Sequence, residues 1–139
     1  DKNISIETNI APELFIFADS NMFETIMRNL ISNAIKFSYE GGKIIINCDF
    51  YDEEPDKYLI SVKDFGIGIS HDFIPYLFKI DKKLQRTGTK GEDGSGLGLI
   101  LTKEFVARNG GKIWAESNTN EGSSFYFTVN RFDTGLAKE

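Results

Sequence analysis

Apolar positions change their spacing several times along the 139 residues of this chain, and each change marks an element. Ile4, Ile6 and Ile10 share one alternation, which predicts a strand over residues 3–9, ended by Pro12. Residues 14–18 form a second short strand, with Phe15 and Phe17 on one side. Phe23, Ile26, Met27, Leu30, Ile31 and Ala34 then recur at helical spacing and predict an amphipathic helix over residues 20–37. Asp19, Ser20 and Asn21 offer caps, Asn21 with Glu24 fits a capping box, and Gly41-Gly42 supply the stop. Residues 43–50 and 58–64 are rich in β-formers and flank the polar turn DEEPDK, so they read as a hairpin. Ser70 caps a short helix over about residues 71–78. The stretch from 79 to 94 shows no periodicity; a loop of that length in a compact domain is usually a lid or binding loop.

A further helix is expected over residues 95–109, with Leu97, Ile100, Leu101, Phe105 and Val106 as its apolar face and Gly110-Gly111 ending it. Two strands follow, over 112–117 and 124–129, and residues 131–139 read as a tail. The order β β α β β α, lid, α β β predicts an α/β (α+β) two-layer sandwich. It would have one mixed, mostly antiparallel sheet of about five strands, with about three helices on one face. Trp114 and the phenylalanines at 15, 17, 23, 125 and 127 are expected in its core.

The length fits one domain. The net charge of −5 argues against nucleic acid as a partner, because a phosphate backbone needs a basic face. A single cysteine, Cys48, rules out a disulfide within the chain and a cysteine metal cluster, and it points to a reducing, cytoplasmic setting. No apolar run approaches the ~20 residues of a membrane span. The first residue is Asp1 and not Met, which suggests a piece of a longer parent that could itself be membrane-anchored.

Three segments carry candidate chemistry. On the long helix, Asn29, Asn33 and Lys36 share one face, displaced from the apolar stripe, so they border a cleft or a solvated surface. An asparagine carbonyl is a hard neutral ligand suited to Mg²⁺, and a lysine is a point charge for phosphate. At the end of a strand, Asp64-Phe65-Gly66-Ile67-Gly68 sets a carboxylate beside a glycine turn. Such a carboxylate accepts from the exocyclic amine of adenine and repels the carbonyl that guanine carries there; otherwise the segment is a plain turn. The third segment, Gly94-Ser95-Gly96-Leu97-Gly98-Leu99, opens a helix with bare amides that favour anions. It is neither a dinucleotide fingerprint, since its sixth position is Leu99, nor a P-loop, since no GK[ST] occurs.

In order and spacing these segments resemble the catalytic, ATP-binding domain of sensor histidine kinases. That domain belongs to the Bergerat-fold family shared with DNA gyrase, the MutL repair proteins and a heat-shock chaperone. RNLISNAIKFS at 28–38 resembles the N box, DFGIGIS at 64–70 the G1 box, FIPYLF at 73–78 the F box and GSGLGL at 94–99 the G2 box. NGGKIWAES at 109–117 and GSSFYFTV at 122–129 resemble the closing strands. The resemblance covers nearly the whole chain and implies ATP and Mg²⁺ as ligands. It places Mg²⁺ on Asn33, with Asn29 assisting near the phosphates, Lys36 on phosphate and Phe37 near the adenine. Asp64 would read the base, with Gly66, Gly68 and Ile69 beside the ring. Gly94, Ser95, Gly96, Leu97, Gly98 and Leu99 would meet the phosphates under a lid over about residues 79–95. Ser124 stands where the family often has a threonine near the base.

The hydrolysing members of this family carry a glutamate four residues before the Mg²⁺ asparagine. Here that position is Asn29, and an amide is no general base at neutral pH. The resemblance therefore favours a kinase domain that donates the γ-phosphate to a histidine on a separate dimerisation domain. Relay to an aspartate of a response-regulator receiver domain would follow, within a membrane-associated homodimeric parent. An ATP-hydrolysing switch and a binding module without catalysis are the alternatives. The only histidine, His71, is expected to be an exposed residue of a short helix and not the acceptor. The F box departs from the family's second phenylalanine, since Phe78 is followed by Lys79, Ile80 and Asp81. Arg86 and Lys90 read as solvated loop charges before they read as phosphate ligands.

Overall fold

The computed structural model describes residues 2–10, 14–79, 97–117 and 119–132. In chain order these form β1 (Ser5–Asn9), β2 (Ile16–Phe17), α1 (Ser20–Phe37), β3 (Lys43–Phe50), β4 (Lys57–Asp64), α2 (Leu97–Arg108), β5 (Ile113–Ser117) and β6 (Ser123–Arg131). All six strand segments read from the sequence form, in a sheet expected to hold about five, and two α-helices stand among the described residues where about three were expected. The segment expected as a short helix holds only a single 3-10 turn, Ile74–Tyr76. So short a helix returns little for its nucleation, and Pro75 brings no amide donor.

The sheet runs β1-β3-β4-β6-β2, and β5 also pairs with β6. β1 is parallel to β3, which makes the sheet mixed; the other pairings are antiparallel. The expected hairpin is β3–β4, closing at Phe50 opposite Tyr58. β6 is held on one edge by β4 from Ser123 to Asn130, and on the other by β5 from Ser123 to Phe127 and by β2 at Asn130 and Arg131.

Residues directly opposite one another in antiparallel strands share a face. Ile44, Ile46, Cys48, Tyr58, Ile60, Val62, Phe125, Phe127 and Val129 therefore form one buried layer, against which α1 sets Ile26, Leu30 and Ala34 and α2 sets Val106. α1 starts at Asp19, whose carboxylate accepts the Met22 amide at 2.9 Å. The cap is thus two residues earlier than the capping box of Asn21 and Glu24 required. α1 ends before the glycines, at Ser38, where the backbone turns extended and the hydroxyl donates to the Ala34 carbonyl at 2.7 Å.

Burial corrects several core assignments. Phe15 and Phe17 are 57% and 65% exposed, since β2 is a two-residue edge strand; Phe17 stacks on Phe132 instead. Trp114 is half-buried on the outer face of the sheet, stacked on Tyr126. Phe125 and Phe127 are core, and Phe23 lies partly buried against Phe127. On α2 the buried stripe runs through Thr102 and Val106, while Leu101 is exposed.

Candidate functional site

The end of β4 carries a buried charge. Asp64 continues the core-facing alternation of Tyr58, Ile60 and Val62 and is 2% exposed. A carboxylate taken out of water needs hydrogen bonds, and Oδ1 accepts the Gly66 amide at 2.9 Å across the turn. The same turn is stitched to the end of α1 by the Ile67 amide, which donates to the Phe37 carbonyl at 3.0 Å. Gly66 lies so close to that carbonyl that a β-carbon would be 1.8 Å from it. Gly68 has φ +73°, a left-handed conformation that glycine adopts without strain. Ile69 is buried, and its amide donates to the Ser117 hydroxyl at 2.7 Å. The Ser117 hydroxyl donates in turn to the Gly122 carbonyl at 2.7 Å.

The α1 residues divide between two neighbours. Phe37 is buried, and Lys36 holds its ammonium 5.0 Å from the Phe37 ring centroid. Asn33 is half-buried on the same helix. Asn29 faces α2: its amide nitrogen lies 3.2 Å from both the Gly98 carbonyl and the Thr102 hydroxyl. Thr102 is fully buried and donates to the Gly98 carbonyl at 2.7 Å. These three residues tie the first turn of α2 to α1. Thr102 was missed in the sequence because a polar residue inside an apolar stripe gives no hydrophobic signal; its spacing of four from both Gly98 and Val106 was the available clue.

Ser124 is placed away from Asp64. It pairs with Lys63 and projects to the outer face, whereas Ser123 is directly opposite Asp64 and shares its face. The serine beside the carboxylate is thus Ser123, one position earlier than expected, since one residue of register exchanges the faces of a strand. Gly98 and Leu99 lie in the first turn of α2, Gly98 exposed and Leu99 half-buried. The expectations for Gly94, Ser95, Gly96, the Leu97 side chain, Arg86, Lys90 and nearly all of the lid fall outside the described residues. Of the F box, Phe78 meets Phe125 edge-on at 6.2 Å, and Phe73 is exposed. His71 is exposed. Cys48 is no nucleophile: burial, and secondarily Asp49, push its thiol up to about 11.

Among the described residues no group of three or more His, Cys, Asp and Glu converges. The side-chain carbonyl of Asn33, half-buried on α1, is the kind of hard neutral donor that Mg²⁺ takes. No helix of the described residues is long and apolar enough to cross a membrane.

Residues 18–132 match the family of histidine kinase-, DNA gyrase B- and HSP90-like ATPases. The sensor histidine kinase WalK of Bacillus subtilis (strain 168) is 38% identical over 117 residues, which cover 84% of this chain and 19% of WalK. The nucleotide-free catalytic domain of histidine kinase ThkA superposes with a TM-score of 0.76 at 28% identity, covering 94% of this chain and 82% of that one. Full-length ShkA in complex with AMPPNP gives a TM-score of 0.75 at 26% identity, over 94% of this chain and 26% of that one. The chain thus spans about a fifth of the length of WalK. Its sequence and its fold agree: this chain belongs to the histidine kinase-, DNA gyrase B- and HSP90-like ATPase family, as a catalytic domain of the sensor histidine kinase kind.

Proposed function

We propose that this domain binds ATP between α1, the turn after β4 and the start of α2, and donates the γ-phosphate to a histidine of a separate dimerisation domain. Asp64 and Ser123 would face the adenine, with Gly66 and Gly68 letting the ring approach the backbone. Lys36 would neutralise phosphate charge. Asn33 would hold Mg²⁺ through its carbonyl oxygen; that ion supplies charge neutralisation on the phosphates when bound. The acceptor nitrogen attacks the γ-phosphorus in line, the bond to the bridging oxygen breaks, and ADP leaves with the electron pair. The domain's contribution is positioning and electrostatics.

The observation that carries this reading is Asn29. Its amide is committed to Gly98 and Thr102, and it is no base for a water molecule. This favours transfer over hydrolysis. The relatives named as sensor kinases support the same course. The proposal continues it with a response-regulator receiver domain as the next acceptor and with a dimeric, membrane-associated parent that would hold this domain in the cytoplasm.

The test is to incubate the chain with γ-labelled ATP, Mg²⁺ and a purified phosphoacceptor domain. The expected product is acid-labile, base-stable label on the acceptor, with little free phosphate. Free phosphate at the same rate with or without the acceptor would favour the hydrolysing switch. Calorimetry with a non-hydrolysable ATP analogue comes first, since absence of binding would remove both readings.

A further inference from the structure

Lys2 is 5% exposed, which for a lysine requires partners. Its ammonium donates to the carbonyls of Ile35 at 3.0 Å, Lys36 at 2.8 Å and Ser38 at 3.1 Å. Three acceptors match the three donors of an ammonium. These carbonyls lie at the C-terminal end of α1, where the last turn lacks its full set of intrahelical donors, Ile35 taking a backbone amide, that of Ser38 at 3.2 Å, and carries partial negative charge. The backbone of Lys2 is engaged as well, accepting the Gly41 amide at 2.7 Å.

The carbonyls of residues 34–38 are then fully accounted for. Ala34 is taken by the Ser38 hydroxyl, Ile35, Lys36 and Ser38 by Lys2, and Phe37 by the Ile67 amide. The Phe37 carbonyl thus sits between two that Lys2 grips, and it anchors the glycine turn that follows Asp64. We propose that Lys2 is a positioning residue for the nucleotide. By fixing the last turn of α1, it sets where the Asp64–Gly68 turn stands relative to Lys36. The inference rests on the nucleotide site proposed above. It makes the stretch ahead of β1 an energetic partner of that site, and such coupling is reciprocal.

The test uses Lys2→Met, which keeps an unbranched stem as long as that of lysine up to Cε and removes the ammonium. Calorimetry with a non-hydrolysable ATP analogue and Mg²⁺ should show affinity weakened about tenfold, the ordinary size of such coupling. Hydrogen exchange should quicken more at the Ile67 amide than at Ile60 in mid-strand. A folded Lys2→Met chain with wild-type affinity would overturn the proposal. Should the variant not fold, the wild-type chain decides. Acetylation of the Lys2 amine by an N-hydroxysuccinimide ester, followed by mass spectrometry, should slow about tenfold on saturation with the analogue. An unchanged rate would overturn the proposal. A wild-type chain that binds no analogue would instead remove the nucleotide site itself, and this is seen before any variant is made.

Discussion

The carbonyl oxygen of Phe37 occupies the space where a side chain on Gly66 would begin, only 1.8 Å from an ideal β-carbon. The turn bearing Asp64 and the helix bearing Asn33 and Lys36 therefore meet backbone to backbone. Gly66→Ala must push them apart. The expected loss is at least about 1–3 kcal/mol of stability, the cost of overpacking a close contact, together with weakened nucleotide binding. Gly98→Ala is the control, since its nearest neighbour would be the Asn29 side chain at 3.8 Å. Urea denaturation of both variants checks the contrast.

Thr102→Val keeps the shape of the side chain and deletes the hydroxyl that lies between Asn29 and Gly98. The expected cost is about 1–3 kcal/mol, because buried polar groups lose a partner. Combined with Asn29→Ala, the losses should fall short of additive, with a coupling of roughly 0.5–3 kcal/mol. A double-mutant cycle by chemical denaturation measures it, and additive losses would show the two residues to be independent.

Asp64→Asn retains an oxygen for the Gly66 amide and removes the charge. ATP affinity is expected to fall by about 1.5–3 kcal/mol, the worth of a hydrogen bond to a charged group, and the preference for ATP over GTP to shrink. Competition titrations with the two nucleotides give both numbers. Equal affinity of the wild-type chain for ATP and GTP would remove the role assigned to Asp64.

Asn33→Ala is expected to weaken analogue binding in the presence of Mg²⁺ and to leave Mg²⁺-free binding nearly as it was. Paired calorimetric titrations with the metal and with chelator provide the comparison. The same loss in both would reject Asn33 as a ligand.

The thiol of Cys48 ionises near 11 in the fold and near 9.0 when free in the unfolded chain. The folded state therefore keeps a proton that the unfolded state gives up. That contribution to stability is complete below pH 9 and is lost as the pH rises toward 11. Denaturation midpoints should decline over this window, and less steeply in Cys48→Ala. Thiol-specific reagents at pH 8 should react quickly only with unfolded chain.

The elements that could be read in the sequence are those made by neighbours. Ile26, Leu30 and Ala34 repeat at the spacing of a helix, and they are the buried face of α1. The β3–β4 hairpin follows from two apolar runs around a proline turn. What escaped is non-local or polar. The parallel pairing of β1 with β3 joins Ser5 to Lys43, and nothing in either segment announces the other. Phe15, Phe17 and Trp114 are apolar yet wet or only half covered, because a folded surface remains largely apolar. Ser123 and Ser124 are chemically identical, and only their register against Asp64 and Lys63 separates them. The turn that follows Asp64 was legible because its glycine spacing is distinctive. The contact between Asn29 and Thr102 was not, since it spans two helices.

β6 touches three other strands, and it comes after all of them along the chain. A polypeptide emerging in order from the ribosome can make its hairpin and its long helix early. Its central seam stays open until residues 123–131 are out. Local pieces form quickly, whereas closure waits on contacts of high sequence separation, the class that slows folding and leaves apolar strand edges bare meanwhile. For this domain the interval of greatest exposure to aggregation is thus the one before Ser123–Arg131 emerges, and a chain cut short ahead of Ser123 would carry a half-built sheet.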